Sequence, residues 1–435
     1  MSDHPELVRS IGRWSLAALV LNGIIGTGVF ILPGVVADRL AWIGLLAWGL
    51  AALLTAVMVL CFAEVASRFS LAGGSYLFTR AAFGRFAGIQ MGWMTYFVKA
   101  ISAAVQANLF TTYLAEFWPW AGTRPGGVVL TTLFLGLLAG VNVQSVVSGA
   151  RLSNWLTVLK TAPLLGFGAV GLVWIAAGQT VAAPNPSDPS AAGWLQVMLL
   201  LMFAFGGFES ALIPLAEAKD PRRDAPFGLV VGLALVALVY LAAQLTVLAT
   251  LDQPGAIARP LAASARVMLG GVGAAGITLA ALLSVSGWVA TNMLAIPRLT
   301  MAMADRGELP AWIGGLHPRF RTPWISILLF GGVAWVLANQ AGLLQNISLS
   351  AVSRLFVYGL GCAALPVLRR KESVQASGVG PALFRAPAGS LMAAIGLTVS
   401  LVLATRMTRR EGAILLALVA LATMHWLSVR RRSRP

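Results

Sequence analysis

Apolar stretches of roughly 18 residues or more recur from residue 14 to residue 428. That succession constrains the fold more than any single motif, because about 20 apolar residues is the length that crosses a hydrocarbon core. Backbone N–H and C=O groups inside that core must pair within their own segment, so such spans are helices. Charged residues make up only 11% of the 435, against about 25% in an average soluble chain. The chain reads as an all-α polytopic membrane protein of about twelve transmembrane helices. The spans fall at approximately 14–36, 41–63, 84–114, 126–147, 155–178, 193–217, 228–250, 270–296, 323–340, 343–364, 387–406 and 411–428. Only Asn339 and Gln340 separate the ninth from the tenth. The segment 257–269 can form a short helix outside the bilayer, and the polar residues from Gln179 to Ser190 mark a loop.

The formal net charge is +16. In a soluble chain this suggests nucleic acid, but here Arg and Lys gather in short connections, as membrane orientation requires. Arg9, Arg13, Arg68, Arg80, Arg151, Lys219, Arg298 and Arg369 fall on one side with the terminal Arg430–Arg434 run, which places both termini in the cytoplasm. Arg406, Arg409 and Arg410 are the exception. The domain division is a cytoplasmic tail at 1–13, a transmembrane transporter domain at 14–428 and a basic cytoplasmic tail at 429–435. Within the transporter domain, core helices 1–10 cover 14–364 and two additional helices cover 387–428. Cys61 and Cys362 sit in apolar surroundings and read as buried small hydrophobes. His4, His317 and His425 lack ligand spacing, so no metal and no cofactor is expected.

Two glycine-rich interruptions stand out. Asn22-Gly-Ile-Ile-Gly-Thr-Gly-Val-Phe-Ile-Leu-Pro33 lies in the first span, and Phe203-Ala-Phe-Gly-Gly-Phe-Glu209 lies in the sixth. Glycine in a membrane helix either permits close packing or lets the chain unwind. Unwinding is tolerable only where something internal satisfies the freed backbone groups. A solute carrying both ammonium and carboxylate does this: a half-helix N-terminus attracts the carboxylate, and the carbonyls ending the other half receive the ammonium. A zwitterionic amino acid therefore suits such a site better than a sugar. Gly206-Gly207 falls five spans after the first interruption, the placement expected of two inverted five-helix repeats that each begin with a broken helix. The glycines do not follow the dinucleotide-loop order.

On these residues the chain resembles bacterial members of the amino acid–polyamine–organocation superfamily of permeases. Gly23-Ile-Ile-Gly-Thr-Gly-Val-Phe30 is similar to the family's first-span signature, and Phe203–Glu209 followed by Glu217-Ala-Lys-Asp-Pro-Arg-Arg-Asp224 to its sixth span and following loop. The resemblance covers roughly residues 10–405. It implies a LeuT-like 5+5 inverted repeat with discontinuous helices 1 and 6 and alternating access. It also implies that Gly23, Ile24, Gly26, Thr27, Gly28, Phe203, Ala204, Phe205 and Gly206 bind substrate. Thr27 and its neighbours meet the carboxylate, the carbonyls near Ile24, Phe203 and Ala204 receive the ammonium, and Phe203 is a gate. Trp288 resembles an aromatic that lines the pocket in some basic amino acid exchangers.

Lys160 and Lys99 lie inside apolar spans, where ionisable groups are expensive and are usually functional or paired. The resemblance gives Lys160 a coupling role in place of a sodium ion, either releasing a proton or organising the broken first helix; the alternative is an interfacial lysine that snorkels. Lys99 can face the pathway, pair with Glu64 or Glu209, or snorkel. Glu209, just past the second interruption, can join the gate to protonation or serve as a structural partner. Glu64, with Arg68 and Arg80, reads as a gate network or a surface salt bridge.

The function implied is secondary transport of amino acids across the cytoplasmic (inner) membrane, by proton symport or exchange. The expected partners are the amino acid, protons and membrane lipid, in a monomer or homodimer. The apolar lining of the motifs favours neutral substrates. A cationic amino acid or polyamine antiporter is the alternative, and a non-transporting receptor or sensor the alternative of another class. Converging catalytic side chains are lacking, so the chain is not read as an enzyme.

Overall fold

The computed structural model describes residues 11–69, 73–144, 150–181, 184–213, 215–373 and 380–432. The tail assignments for residues 1–10 and 433–435, His4 among them, lie outside the described residues, as does the side chain of Arg151. The described residues form helices and no strand: α1 (Arg13–Ile24), α2 (Thr27–Leu40), α3 (Gly44–Ala66), α4 (Gly74–Phe83), α5 (Arg85–Leu114), α6 (Arg124–Gln144) and α7 (Ala150–Ala176). There follow α8 (Ala191–Ala204), α9 (Pro221–Thr250), α10 (Pro260–Asp305), α11 (Trp324–Gln340), α12 (Leu343–Ser373), α13 (Gly389–Ala404) and α14 (Arg409–Arg432).

Eight stretches of the described residues are long and apolar enough to cross a membrane, while α11 and α13 are apolar but shorter. Exposed Leu53, Leu137, Val272 and Leu416 belong to the outer surface of the bundle. In water such a surface would drive association; in lipid it is the solvated face. The chain is therefore an all-α polytopic membrane protein.

Local sequence explains several boundaries. α9 and α10 start with Pro221 and Pro260, where the missing N–H has no intrahelical partner to lose. The predicted span 270–296 is longer in the structure, with a change of direction at Gly270 (φ 67°, ψ −156°) that sets off the turns at 260–269. The predicted tenth span, 343–364, continues to Ser373. The sequence reading assigned no helix at 64–83, yet α4 forms there. It has only 10 residues and is bounded by left-handed Gly73 (φ 129°) and Gly84 (φ 89°), so it carries no long apolar signature.

The interior is built around α1, α2 and α8. α9 and α7 pack on α1, α8 packs on α2, α3 and α12, and α5 runs through the bundle against α10, α11 and α12. α14 sits at the rim, mainly against α5.

Candidate functional site: two helix breaks around buried charge

Both glycine-rich segments are breaks in helices. α1 ends at Ile24 and α2 begins at Thr27, with Ile25 (φ −68°, ψ 103°) and Gly26 (φ −146°, ψ −138°) non-helical between them. α8 ends at Ala204, and after left-handed Gly207 (φ 119°) a short 3-10 turn covers Phe208–Leu212. The breaks touch. A Cβ on Gly23 would lie 2.7 Å from the Gly207 carbonyl oxygen, and a Cβ on Gly28 2.8 Å from the Ala204 Cα. These glycines are required by backbone proximity.

At the first break the carbonyls that end α1 have no intrahelical donor, and side chains supply one. Lys160 Nζ donates to Asn22 O at 2.9 Å and to Ile25 O at 2.7 Å. Trp288 Nε1 donates to Gly23 O at 2.9 Å. The Tyr240 hydroxyl lies 3.2 Å from Ile24 O and 3.1 Å from Ala204 O, so it bridges the two breaks. It has one proton for two acceptors, which leaves one carbonyl open at any moment. Lys160 is 1% exposed, so it does not snorkel; its ammonium sits at a helix C-terminus, where positive charge is favourable.

The start of α2 is poorer in partners. Thr27 Oγ1 donates to Gln106 Oε1 at 2.8 Å, and the Gln106 amide packs against Gly26. No acceptor among the described residues pairs with the N–H groups of Thr27 and Gly28.

The second break is organised by a carboxylate. Glu209 Oε2 accepts from the Gly207 N–H at 3.0 Å and from the Tyr358 hydroxyl at 3.1 Å. Its Oε1 accepts from Lys99 Nζ at 2.7 Å and lies 3.8 Å from Arg354 Nη1. Lys99 also donates to Ser210. Arg354 Nη2 donates to Ser102 Oγ at 2.8 Å, and its guanidinium lies over the Phe203 ring, 5.4 Å from the centroid. Lys99, Glu209 and Arg354 are all at most 2% exposed.

The structure thus gathers Gly23, Ile24, Gly26, Thr27, Gly28, Lys160, Phe203, Ala204, Phe205, Gly206, Glu209 and Trp288 around one interior region. The Phe205 ring is buried against Trp48 and Tyr240. Lys99 pairs with Glu209 and not with Glu64. Glu64 is buried and accepts two bonds from Arg369, at 2.7 and 2.6 Å, besides one from Arg68 at 3.0 Å, so it is no surface bridge. Arg80 lies apart from it, paired with Glu308 at 3.3 Å.

Sequence reasoning missed Arg354, Tyr240, Gln106 and Tyr358. Arg354 had a signal: it is a lone cation inside the apolar span 343–364, the same cue that marked Lys160. Tyr240 and Tyr358 had none, since a tyrosine in a membrane helix is ordinary.

Two broken helices that meet at a buried polar centre within a membrane bundle define a membrane transporter. The chain belongs to the amino acid permease family, whose profile matches residues 11–419. It is 26% identical over 391 residues to the methylthioribose transporter of Bacillus subtilis, covering 85% of this chain and 83% of that protein. It is 26% identical over 384 residues to the serine/threonine exchanger SteT of Bacillus subtilis, covering 85% of each. The branched-chain amino acid permease BcaP of the same organism is 25% identical over 398 residues, covering 85% of this chain and 83% of the permease. These relatives are transporters and not enzymes.

Proposed function

We propose that this chain carries amino acids across the bacterial cytoplasmic membrane by alternating access, with both termini in the cytoplasm. One observation carries the reading: the backbone of two helices is opened at a single buried centre, with N–H groups free at the start of α2 and one carbonyl of Ile24 and Ala204 always short of a proton. An α-carboxylate and an α-ammonium complement these two deficits. Thr27 and Gly28 take the carboxylate, Ile24 and Ala204 the ammonium, and Phe203 closes the site.

The helices are consistent with twelve crossings in a 5+5 inverted repeat. α1 with α2 forms the first and α8 with the turn at Phe208–Leu212 the sixth, with α13 and α14 added after the repeats. The division into tails at 1–13 and 429–435 around a transporter domain follows from the same scheme. The positive connections support the orientation. The chain acts as a monomer or homodimer in lipid.

Transport runs by proton symport or by exchange. Lys160 is compatible with both, because a neutral amine keeps two N–H donors for Asn22 O and Ile25 O. The relatives' printed substrates differ from one another, so the substrate must be argued from the site. Lys99 and Arg354 share a single carboxylate, Glu209, and Lys160 has backbone carbonyls as its partners, a cationic excess that favours a neutral or anionic side chain over a cationic one. Uptake of radiolabelled amino acids into proteoliposomes tests the reading. Uptake driven by a proton gradient into empty vesicles establishes symport, and uptake only against internal amino acid establishes exchange. Binding without flux under either condition would replace the transporter reading with a receptor.

A further inference from the structure

The charges of the centre are unbalanced in one direction. The acceptors at the first break are largely met, by Lys160, Trp288 and Tyr240. The unmet groups are the Asn22 Oδ1 acceptor, one of the Ile24 and Ala204 carbonyls, and the donors of Thr27 N–H, Gly28 N–H and Arg354 Nη1. That guanidinium nitrogen has no hydrogen-bond partner among the described residues, although Arg354 is 2% exposed. It abuts Gly206, at the opening of the second break, and the nearest carboxylate oxygen recorded for it is 3.8 Å away on Glu209. Glu209 is already committed to Lys99, the Gly207 N–H and Tyr358. A buried arginine with an idle N–H beside a buried lysine pair is costly unless an anion completes it.

We propose that the substrate carries a second acidic group, so that the transported class is acidic amino acids or close dicarboxylate analogues, with Arg354 reading the side-chain carboxylate. The inference rests on the transporter reading above. The α-carboxylate meets the start of α2, where Gly28 adjoins Ala204. The second carboxylate meets Arg354, which adjoins Gly206 two residues further along the same segment. The guanidinium is held for this by Ser102 on one side and the Phe203 ring beneath it. Glu209 is the one carboxylate shared by Lys99 and Arg354, and Lys160 is held by backbone carbonyls, so the centre carries positive charge in excess, and Arg354 is the more distant of the two cations on Glu209. Gly206 lets Arg354 and Tyr358 pack directly on the backbone of the second break, where a Cβ would collide with both.

The test compares isosteric pairs on wild-type protein in proteoliposomes: glutamate against glutamine and aspartate against asparagine, with leucine and lysine as further competitors of uptake. We expect each acid to compete about tenfold or more better than its amide, the factor one charge-assisted hydrogen bond supplies. Arg354→Gln is expected to weaken the acid far more than the amide, bringing the two to similar potency. Arg354→Lys is expected to keep the preference for the acid. Amides or leucine that compete as well as or better than acids on wild-type protein would overturn the inference and leave amino acid transport standing. The same holds if Arg354→Gln weakens acid and amide equally, which is the signature of a structural arginine. No flux of any amino acid would overturn the transporter reading itself. The wild-type comparison decides the matter even where Arg354→Gln does not fold.

Discussion

At the first break the protein presents donors to exposed carbonyls; at the second it presents a carboxylate to an exposed N–H. Asn22, Gly23 and Ile25 carbonyls are met by a lysine and a tryptophan brought from α7 and α10. The Gly207 N–H is met by Glu209, two residues along its own chain, and Glu209 in turn is held by Lys99 and Tyr358 from α5 and α12. The sequences of the two breaks look alike, both rich in glycine and flanked by phenylalanine. Each break has a carbonyl end and an N–H end, and the side chains recruited follow the end they meet: a cation at the carbonyls of α1, a carboxylate at the Gly207 N–H. A cation can be borrowed singly from a neighbour. A buried carboxylate needs its own counter-charge, so the second break recruits a larger network.

That contrast predicts an order of sensitivity. Removing the carboxylate should do most. Glu209→Gln leaves Lys99 and Arg354 without their anion, and we expect a loss of about 3–5 kcal/mol in unfolding free energy, read by thermal unfolding in detergent. The double variant Lys99→Met with Glu209→Gln should be less destabilised than Glu209→Gln alone. Equal losses would mean that the pair is not the unit we describe. Next comes the first break. Lys160→Met strands two carbonyls, and we expect about 2–3 kcal/mol of destabilisation with initial uptake down by more than about tenfold. If uptake stayed at the wild-type rate, the cation at the end of α1 would be dispensable and the contrast between the breaks would fail. Gly207→Ala places a Cβ against the Gly23 carbonyl at a left-handed φ of 119°. A cost of about 1–3 kcal/mol should follow, together with lost uptake, because the two backbones can no longer touch. The bridge between the breaks is the mildest of the four. Tyr240→Phe removes one proton shared by two carbonyls, worth about 1 kcal/mol in the same unfolding assay. A loss as large as that of Lys160→Met would show that Tyr240, and not Lys160, holds the end of α1.

Legibility in the sequence followed the range of the interaction. The apolar runs announced helices because a membrane span must satisfy its own backbone, a local rule. α11 ends at Gln340 and α12 starts at Leu343, beside the Asn339–Gln340 boundary read from sequence. α4 escaped notice because 10 residues between left-handed glycines have no span-length pattern. At the centre, Lys160, Lys99 and Glu209 were conspicuous as charges in apolar surroundings. Their partners were not, since the sequence left Lys99 free to choose between Glu64 and Glu209.

Composition and the spacing of apolar residues alone determined that the chain is a bundle of membrane helices, and the two glycine clusters determined where those helices are interrupted. Both follow from rules that act within one segment: backbone pairing in lipid, and the freedom of a residue without a Cβ. Only the tertiary structure decided which groups fill the interruptions. Lys160 reaches Asn22 across 138 residues of chain and Tyr358 reaches Glu209 across 149, and burial leaves each polar atom no solvent to choose instead. The partner is then fixed by which helix packs alongside, which no single stretch of sequence specifies.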